Sequence, residues 1–196
     1  DLDAFVAQVN LTATVWLNDG WGRFTGHPSA PNVGYASDVA LGDIDGDGDL
    51  DAVVACYNQT QTVWVNDGEG AFTAHPTAPT FGGANASRGI TLGDIDGDGD
   101  LDAVIANQNG AAETVWLNDG TGAFTAHATT SSFGAGDSQA LALGDIDSDG
   151  DLDALVANTN AQDETVWLND GVGNFLPHPS VSAFNGGQDS THIGLS

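Results

Sequence analysis

Short apolar runs, each no longer than a strand, are separated along this chain by clusters of glycine, asparagine and aspartate. Ala36–Leu41 mixes polar and apolar positions, Ala52–Cys56 is continuously apolar, Thr62–Val65 alternates, and Ala71–His75 closes the group. A continuous run reads as a strand buried on both faces, and an alternating one as a strand with a single buried face. Asn66-Asp67-Gly68, between the third and fourth runs, is a hairpin signal because these residues tolerate positive φ. No segment repeats its apolar residues at the helical period. The pattern predicts an all-β chain built from four-stranded antiparallel units.

The unit recurs. Leu41–Ala55, LGDIDGDGDLDAVVA, returns as LGDIDGDGDLDAVIA at Leu92–Ala106 and as LGDIDSDGDLDALVA at Leu143–Ala157. A second string, beginning Thr-Val-Trp, starts at Thr14, Thr62, Thr114 and Thr165. Its tryptophans Trp16, Trp64, Trp116 and Trp167 stand 48, 52 and 51 residues apart, and each is followed after 11 residues by His27, His75, His127 or His178. A period near 50 lies in the range of propeller blades, and four-stranded units repeated around an axis make a β-propeller. The expectation is a single β-propeller domain over 1–196, with blade units at about 1–34, 35–85, 86–136 and 137–188.

The ends of the chain fit the same register. Asp1-Leu2-Asp3-Ala4 matches Asp49-Leu50-Asp51-Ala52, and Ile193 and Leu195 match Ile90 and Leu92. The first unit thus lacks an opening strand, and 189–196 supplies one that is expected to lie beside Ala4–Ala7 and complete the first blade. Residue 1 falls inside a motif, so no signal peptide is expected within the sequence.

Charge narrows the partners. Twenty-eight acidic residues face two basic ones, Arg23 and Arg88, for a net charge of -26. A nucleic-acid binder needs a basic face to neutralise phosphates, and an anionic membrane surface would repel such a chain. No apolar run approaches the roughly 18–20 residues of a membrane span, so no membrane insertion is expected. Forty per cent apolar residues, with eight Phe and five Trp, suffice for a core. Cys56 is the single cysteine and excludes an internal disulfide.

Most of the acidity is concentrated in three loops. In Asp43-Ile44-Asp45-Gly46-Asp47-Gly48-Asp49-Leu50-Asp51, carboxylates at positions 1, 3 and 5 alternate with small residues, position 7 offers a backbone carbonyl, and Asp51 closes the shell. The same holds for Asp94, Asp96, Asp98, Asp100 and Asp102, and for Asp145, Asp147, Asp149, Asp151 and Asp153. Hard oxygen donors in this number suit calcium, whereas zinc favours His or Cys. An EF-hand would place a glutamate at position 12, where this chain has Val54. Bare carboxylates so close repel by on the order of 1–4 kcal/mol per pair at intermediate dielectric, so the clusters call for a cation.

Together the two strings resemble the VCBS/FG-GAP repeat of calcium-binding β-propellers, and the resemblance spans essentially the whole chain. It implies calcium in the aspartate loops, an extracellular or cell-surface setting, and recognition of a glycan or an extracellular protein. Propellers of this family usually have about seven blades. Four units leave three arrangements: a closed four-bladed ring, an eight-bladed ring shared by a homodimer, or part of a longer chain.

The aspartate loops and the Trp-to-His turns keep constant length, so variation is confined to the other two links of each unit, which share the opposite face. Tyr35, Asn58, Gln59, Phe81, Arg88, Asn109, Phe133, Asn160 and Phe184 fall on or near those links and form the candidate ligand face. Amides with aromatic rings suit a sugar; the plainer reading is that the asparagines fill turns and the phenylalanines plug gaps between blades. The repeated Trp reads as inter-blade packing and the repeated His as a structural hydrogen bond. Cys56 and His192 have no evident partners, so no catalytic constellation is apparent and no enzyme is expected. The sequence therefore reads as a calcium-stabilised adhesion or carbohydrate-binding module. Its alternatives are a structural repeat of a larger surface protein and an accessory domain of a polysaccharide-degrading enzyme.

Overall fold

The computed structural model describes residues 3–8, 12–29, 31–128, 132–179, 183–184 and 189–194. Wherever an aspartate loop separates two apolar runs, the chain turns back on itself as an antiparallel pair. The second unit contains β4 (Ala36–Gly42), β5 (Asp51–Cys56), β6 (Gln61–Asn66), β7 (Phe72–Ala74) and β8 (Thr80–Phe81). The third contains β9 (Ser87–Gly93), β10 (Asp102–Asn107), β11 (Ala111–Asn118), β12 (Phe124–Ala126) and β13 (Ser132–Gly136). The fourth contains β14 (Ser138–Gly144), β15 (Asp153–Asn158), β16 (Glu164–Asn169), β17 (Phe175–Pro177) and β18 (Ala183–Phe184). The first has β1 (Ala4–Val6), β2 (Thr14–Asn18) and β3 (Phe24–Gly26).

Each unit is its own antiparallel sheet, a meander such as β4-β5-β6-β7. Register repeats as the sequence does: Leu41 faces Ala52 and Ala52 faces Trp64, while Leu92 faces Ala103 and Ala103 faces Trp116. Two features go beyond the sequence reading. The outer edge is shared by two short strands, so β8, β13 and β18 pair with β6, β11 and β16 beyond the ends of β7, β12 and β17. Every complete inner strand also carries an irregularity near its start, which leaves Ser37, Arg88 and Gln139 as the bulged residues.

The core lies between sheets. The continuously apolar strands β5, β10 and β15 are buried along their whole length. Val53, Ala55 and Val63 meet Ile90, Ala103 and Ile105 across the junction of the second and third sheets, and Val104, Ala106 and Val115 meet Leu141, Ala154 and Val156 across the next. Full burial of such a side chain is worth roughly 1.5–3 kcal/mol. Polar contacts fix the angle between blades: Asn118 donates to the Ile44 carbonyl and Asn169 to the Ile95 carbonyl, each at 2.8 Å.

The two ends of the array are open. Ile44 and Ile95 are 1% exposed beneath the following blade, but Ile146, their counterpart in the last unit, is 36% exposed. Phe124 and Phe175 are buried, whereas Phe24 in the first unit is 50% exposed.

Residues 189–194 form no strand, and β2 is the partner of β1, so the expected pairing beside Ala4–Ala7 is not made by the described residues. The reason is local. Ser190 N–H donates to the Asn158 carbonyl at 3.0 Å, and the Asp189 carboxylate accepts from Ala161 N–H at 3.2 Å, which ties the segment to the fourth sheet. Asp137 makes the matching contact with Asn109 N–H one blade earlier, so 189–194 runs where the inner strand of a following blade would start. Asp1, Leu2 and Leu195 lie outside the described residues.

Candidate functional site

The aspartate loops curl because glycine lets them. Gly46 and Gly48 sit at φ 77° and 95°, where a Cβ is disfavoured; Ser148 takes the Gly46 position in the last loop at φ 68°. Asp43 caps the curl, its two oxygens accepting from Gly46 and Gly48 N–H at 2.9 and 3.0 Å. Asp51, fully buried, accepts from Ile44 N–H at 3.2 Å and Asn66 N–H at 2.8 Å. Asp102 and Asp153 hold the equivalent donors of their own units.

Three triads result, Asp43–Asp45–Asp51, Asp94–Asp96–Asp102 and Asp145–Asp147–Asp153, each with one oxygen per residue lying within 4.8 Å of the others. Asp47, Asp98 and Asp149 accept from the backbone N–H two residues on. Asp49, Asp100 and Asp151 lie against Gly68, Gly120 and Gly171 of the hairpin turns, so close that a Cβ at Gly68 would meet the Asp49 carboxylate at 2.5 Å. Burial is the main cause that pushes Asp51 and Asp102 up to about 6; two backbone donors oppose it, and the nearby aspartates add to it. An all-oxygen donor set of like charges, partly desolvated, is the chemistry that a hard divalent cation satisfies.

At the other end of the strands, the two variable links meet. Tyr57 N–H donates to the Tyr35 carbonyl at 2.8 Å, and Asn58 N–H to the Asn85 carbonyl at 2.7 Å. Tyr35 and Gln59 are joined by a hydrogen bond, and the Asn160 amide donates to Asp137 at 2.7 Å. Asn58, Asn109 and Asn160 all sit near φ 60° in tight turns, which accounts for asparagine at these positions. Arg88 lies with its guanidinium 4.5 Å from the centroid of the Tyr57 ring.

Phe81 and Phe133 are not on this face. They are buried between sheets, stacked on Phe124 and Phe175 at 4.7 and 4.5 Å and tilted against Trp116 and Trp167. The sequence carried a signal for this: Phe81, Phe133 and Phe184 each follow the repeat histidine by six residues, a fixed spacing inside a link of varying length. The side chain of Phe184 lies outside the described residues. His75 takes the structural role expected of it. Its Nδ1 accepts from Ala78 N–H at 2.9 Å, so Nε2 carries the proton and donates to the Thr121 carbonyl of the next blade at 2.7 Å. The Cys56 thiol is buried against the Val33 carbonyl, and burial pushes its pKa up, away from nucleophilic use.

Four antiparallel sheets in radial succession, with aspartate loops at one end and variable links at the other, define the β-propeller class of repeat protein. The FG-GAP-like repeat matches at residues 1–54, 43–105 and 94–156, and the chain belongs to that family. No curated protein matches the chain. Among solved structures it is similar to an Agrocybe aegerita lectin described as recognising non-reducing terminal N-acetylglucosamine, with 25% identity and a TM-score of 0.60. That match covers 86% of this chain and 46% of the lectin, so the chain spans under half the lectin's length. A Photorhabdus luminescens Tc holotoxin pore also matches, at 17% identity and a TM-score of 0.40, covering 93% of this chain and 10% of that one.

Proposed function

We propose that this chain is a non-catalytic, extracellular carbohydrate-binding module whose blades are braced by calcium. The observation that carries the reading is the joint likeness to FG-GAP-like repeats and to a propeller lectin over most of the chain. Asp43, Asp45 and Asp51, with their counterparts Asp94, Asp96, Asp102 and Asp145, Asp147, Asp153, would hold the cations. When bound, calcium neutralises each cluster and clamps the loop to the start of the adjoining strand. Ligand recognition falls to the opposite end, where Tyr35, Asn58, Gln59, Arg88, Asn109 and Asn160 lie on links that vary between otherwise similar units. A glycan array probed in millimolar calcium tests the reading, and binding to saccharides that survives competition by bulk protein is the expected result. An array with no saccharide bound above background would overturn it.

The open ends support a homodimer as the assembled form. The junctions that follow the second and third sheets bury the counterparts of Ile146, which are Ile44 and Ile95, and those of Phe24, which are Phe124 and Phe175, so a second copy placed head to tail would cover both open residues. Segment 189–194 would then run beside β1 of that copy and supply the strand its first sheet lacks, giving eight blades in all.

A further inference from the structure

The bulged residues of the inner strands converge. Ser37, Arg88 and Gln139, joined by Thr191 at the same repeat position, line one cavity of about 260 Å³ at the variable-link end, together with Asp38 and His192. A bulge re-aims a side chain out of the ladder, and here the same device is used in each complete inner strand at a position filled by a different residue every time. All three strands end alike in Leu-Gly, whereas the bulged position and the one after it, Asp38, Gly89 and Ala140, differ in each. A fixed backbone feature presenting a varied side chain into a shared cavity is the arrangement of a binding site.

Arg88 dominates its chemistry. It is one of two basic side chains in a chain of net charge -26, yet its described partners are uncharged: Nε donates to Gln108 Oε1 at 2.6 Å, and the guanidinium plane lies over Tyr57. Among the described residues its two Nη groups have no hydrogen-bond partner, and the two contacts fix the orientation of that edge. Such an edge is the fork that grips a carboxylate through two parallel hydrogen bonds. Asp38 lines the same cavity but is held separately, its oxygens accepting from Val39 and Ile90 N–H at 2.9 and 3.0 Å. Asp38, the Gln139 amide and the Thr191 hydroxyl, which is hydrogen-bonded to His192 Nδ1 at 3.1 Å and keeps further bonding capacity, line the cavity and suit a ligand that carries hydroxyl groups as well as an acid. The acidic loops do not oppose an anion here. They lie at the far end of a seven-residue strand, about 20 Å away, against a Debye length of about 8 Å at physiological salt.

We propose that this axial cavity binds a sugar acid, with the ligand carboxylate on the Arg88 guanidinium and its hydroxyls toward Asp38, Gln139 and Thr191. The proposal rests on the carbohydrate reading above and narrows it to an acidic saccharide. Calorimetric titration of the calcium-loaded chain with glucuronate, glucose and acetate tests it. Glucuronate is expected to bind at least tenfold more tightly than either of the others. Arg88→Gln should abolish that preference, and Arg88→Lys, which keeps the charge but not the fork, should leave a weakened one at an unchanged melting temperature. Glucuronate binding no better than glucose, or a preference that persists in both variants, overturns the proposal. If neutral glycans bind on the array while glucuronate does not, the acidic site fails and the carbohydrate reading stands. Acetate binding as tightly as glucuronate overturns the sugar component.

Discussion

Replacing Asp102 by asparagine separates the two roles of a buried loop carboxylate. Asp102 is fully buried, belongs to the second triad, and accepts from Ile95 and Asn118 N–H at 3.0 and 2.8 Å. Asparagine preserves the shape, but its single carbonyl oxygen satisfies only one of those donors, and a buried donor left unmet costs about 1–3 kcal/mol. In the metal-free protein an opposing gain appears. Burial pushes the Asp102 pKa up to about 6, so at pH 7.5 its ionised form carries a penalty of up to about 3 kcal/mol that the neutral amide removes. In chelator the two effects nearly cancel, and the variant should lie within about 1 kcal/mol of the parent. In calcium the balance changes, because a cation at ten times its dissociation constant contributes about 1.4 kcal/mol per site, and this site loses it. The variant should therefore melt several degrees below the parent in calcium, at about 2–4 °C per kcal/mol for a domain of this size, and close to it in chelator. Thermal unfolding followed by tryptophan fluorescence, with and without excess EGTA, reads both values. Equal destabilisation in the two buffers would refute the reasoning and leave the triads without a metal role.

Phe124→Ala, which empties the stack on Phe81, should cost about 3–5 kcal/mol in chemical denaturation, while Phe24→Ala at the half-exposed equivalent should cost under about 1.5 kcal/mol. Glu113 is buried beside Ser138, and burial pushes its pKa from 4.5 to about 7. An acid raised on folding favours the native state at low pH, so up to about 3 kcal/mol of stability should disappear as pH rises from about 4.5 to 7. Glu113→Gln should flatten that fall, and a parallel decline in parent and variant would disprove the assignment. Light scattering of the 19.9 kDa chain should give about 40 kDa if the open ends pair, and a monomer at high protein concentration would exclude the head-to-tail dimer.

The parts of this fold legible in the sequence are those set by neighbouring residues. Gly48, Gly99 and Gly150 all adopt φ near 100°, and the aspartate loops they belong to announce themselves wherever they occur, as do the Asn-Asp-Gly turns. The strands flanking them follow within a residue or two. What escaped the reading depends on partners far away in the chain. Thr80–Phe81 becomes an edge strand only because β7 covers Trp64–Asn66 and leaves the outer edge at the start of β6 open, and no local pattern says so. The bulges at Ser37, Arg88 and Gln139 leave no trace in residue type, since three unlike side chains occupy one backbone geometry. Phe81 looked like part of a variable link because its neighbours vary; its constant distance from His75 marked it as core. Segment 189–194 matches an inner strand in sequence, but whether it finds a sheet depends on which chain supplies the strand beside it.

The near-identity of the inner hairpins has a consequence for how the chain reaches this state. The β4–β5 and β9–β10 hairpins share the same register, Leu41 on Ala52 and Leu92 on Ala103, and nearly the same residues over Leu41–Ala55 and Leu92–Ala106. During refolding either hairpin can seat in the place of the other, within one molecule or between two, with nearly the same hydrophobic reward. Only the links of unequal length and junction contacts such as Asp38 to Ile90 N–H distinguish right from wrong order. Repeat proteins built this way are prone to swapped and tangled assemblies. Yield on refolding should fall with protein concentration far more steeply than equilibrium stability alone would dictate.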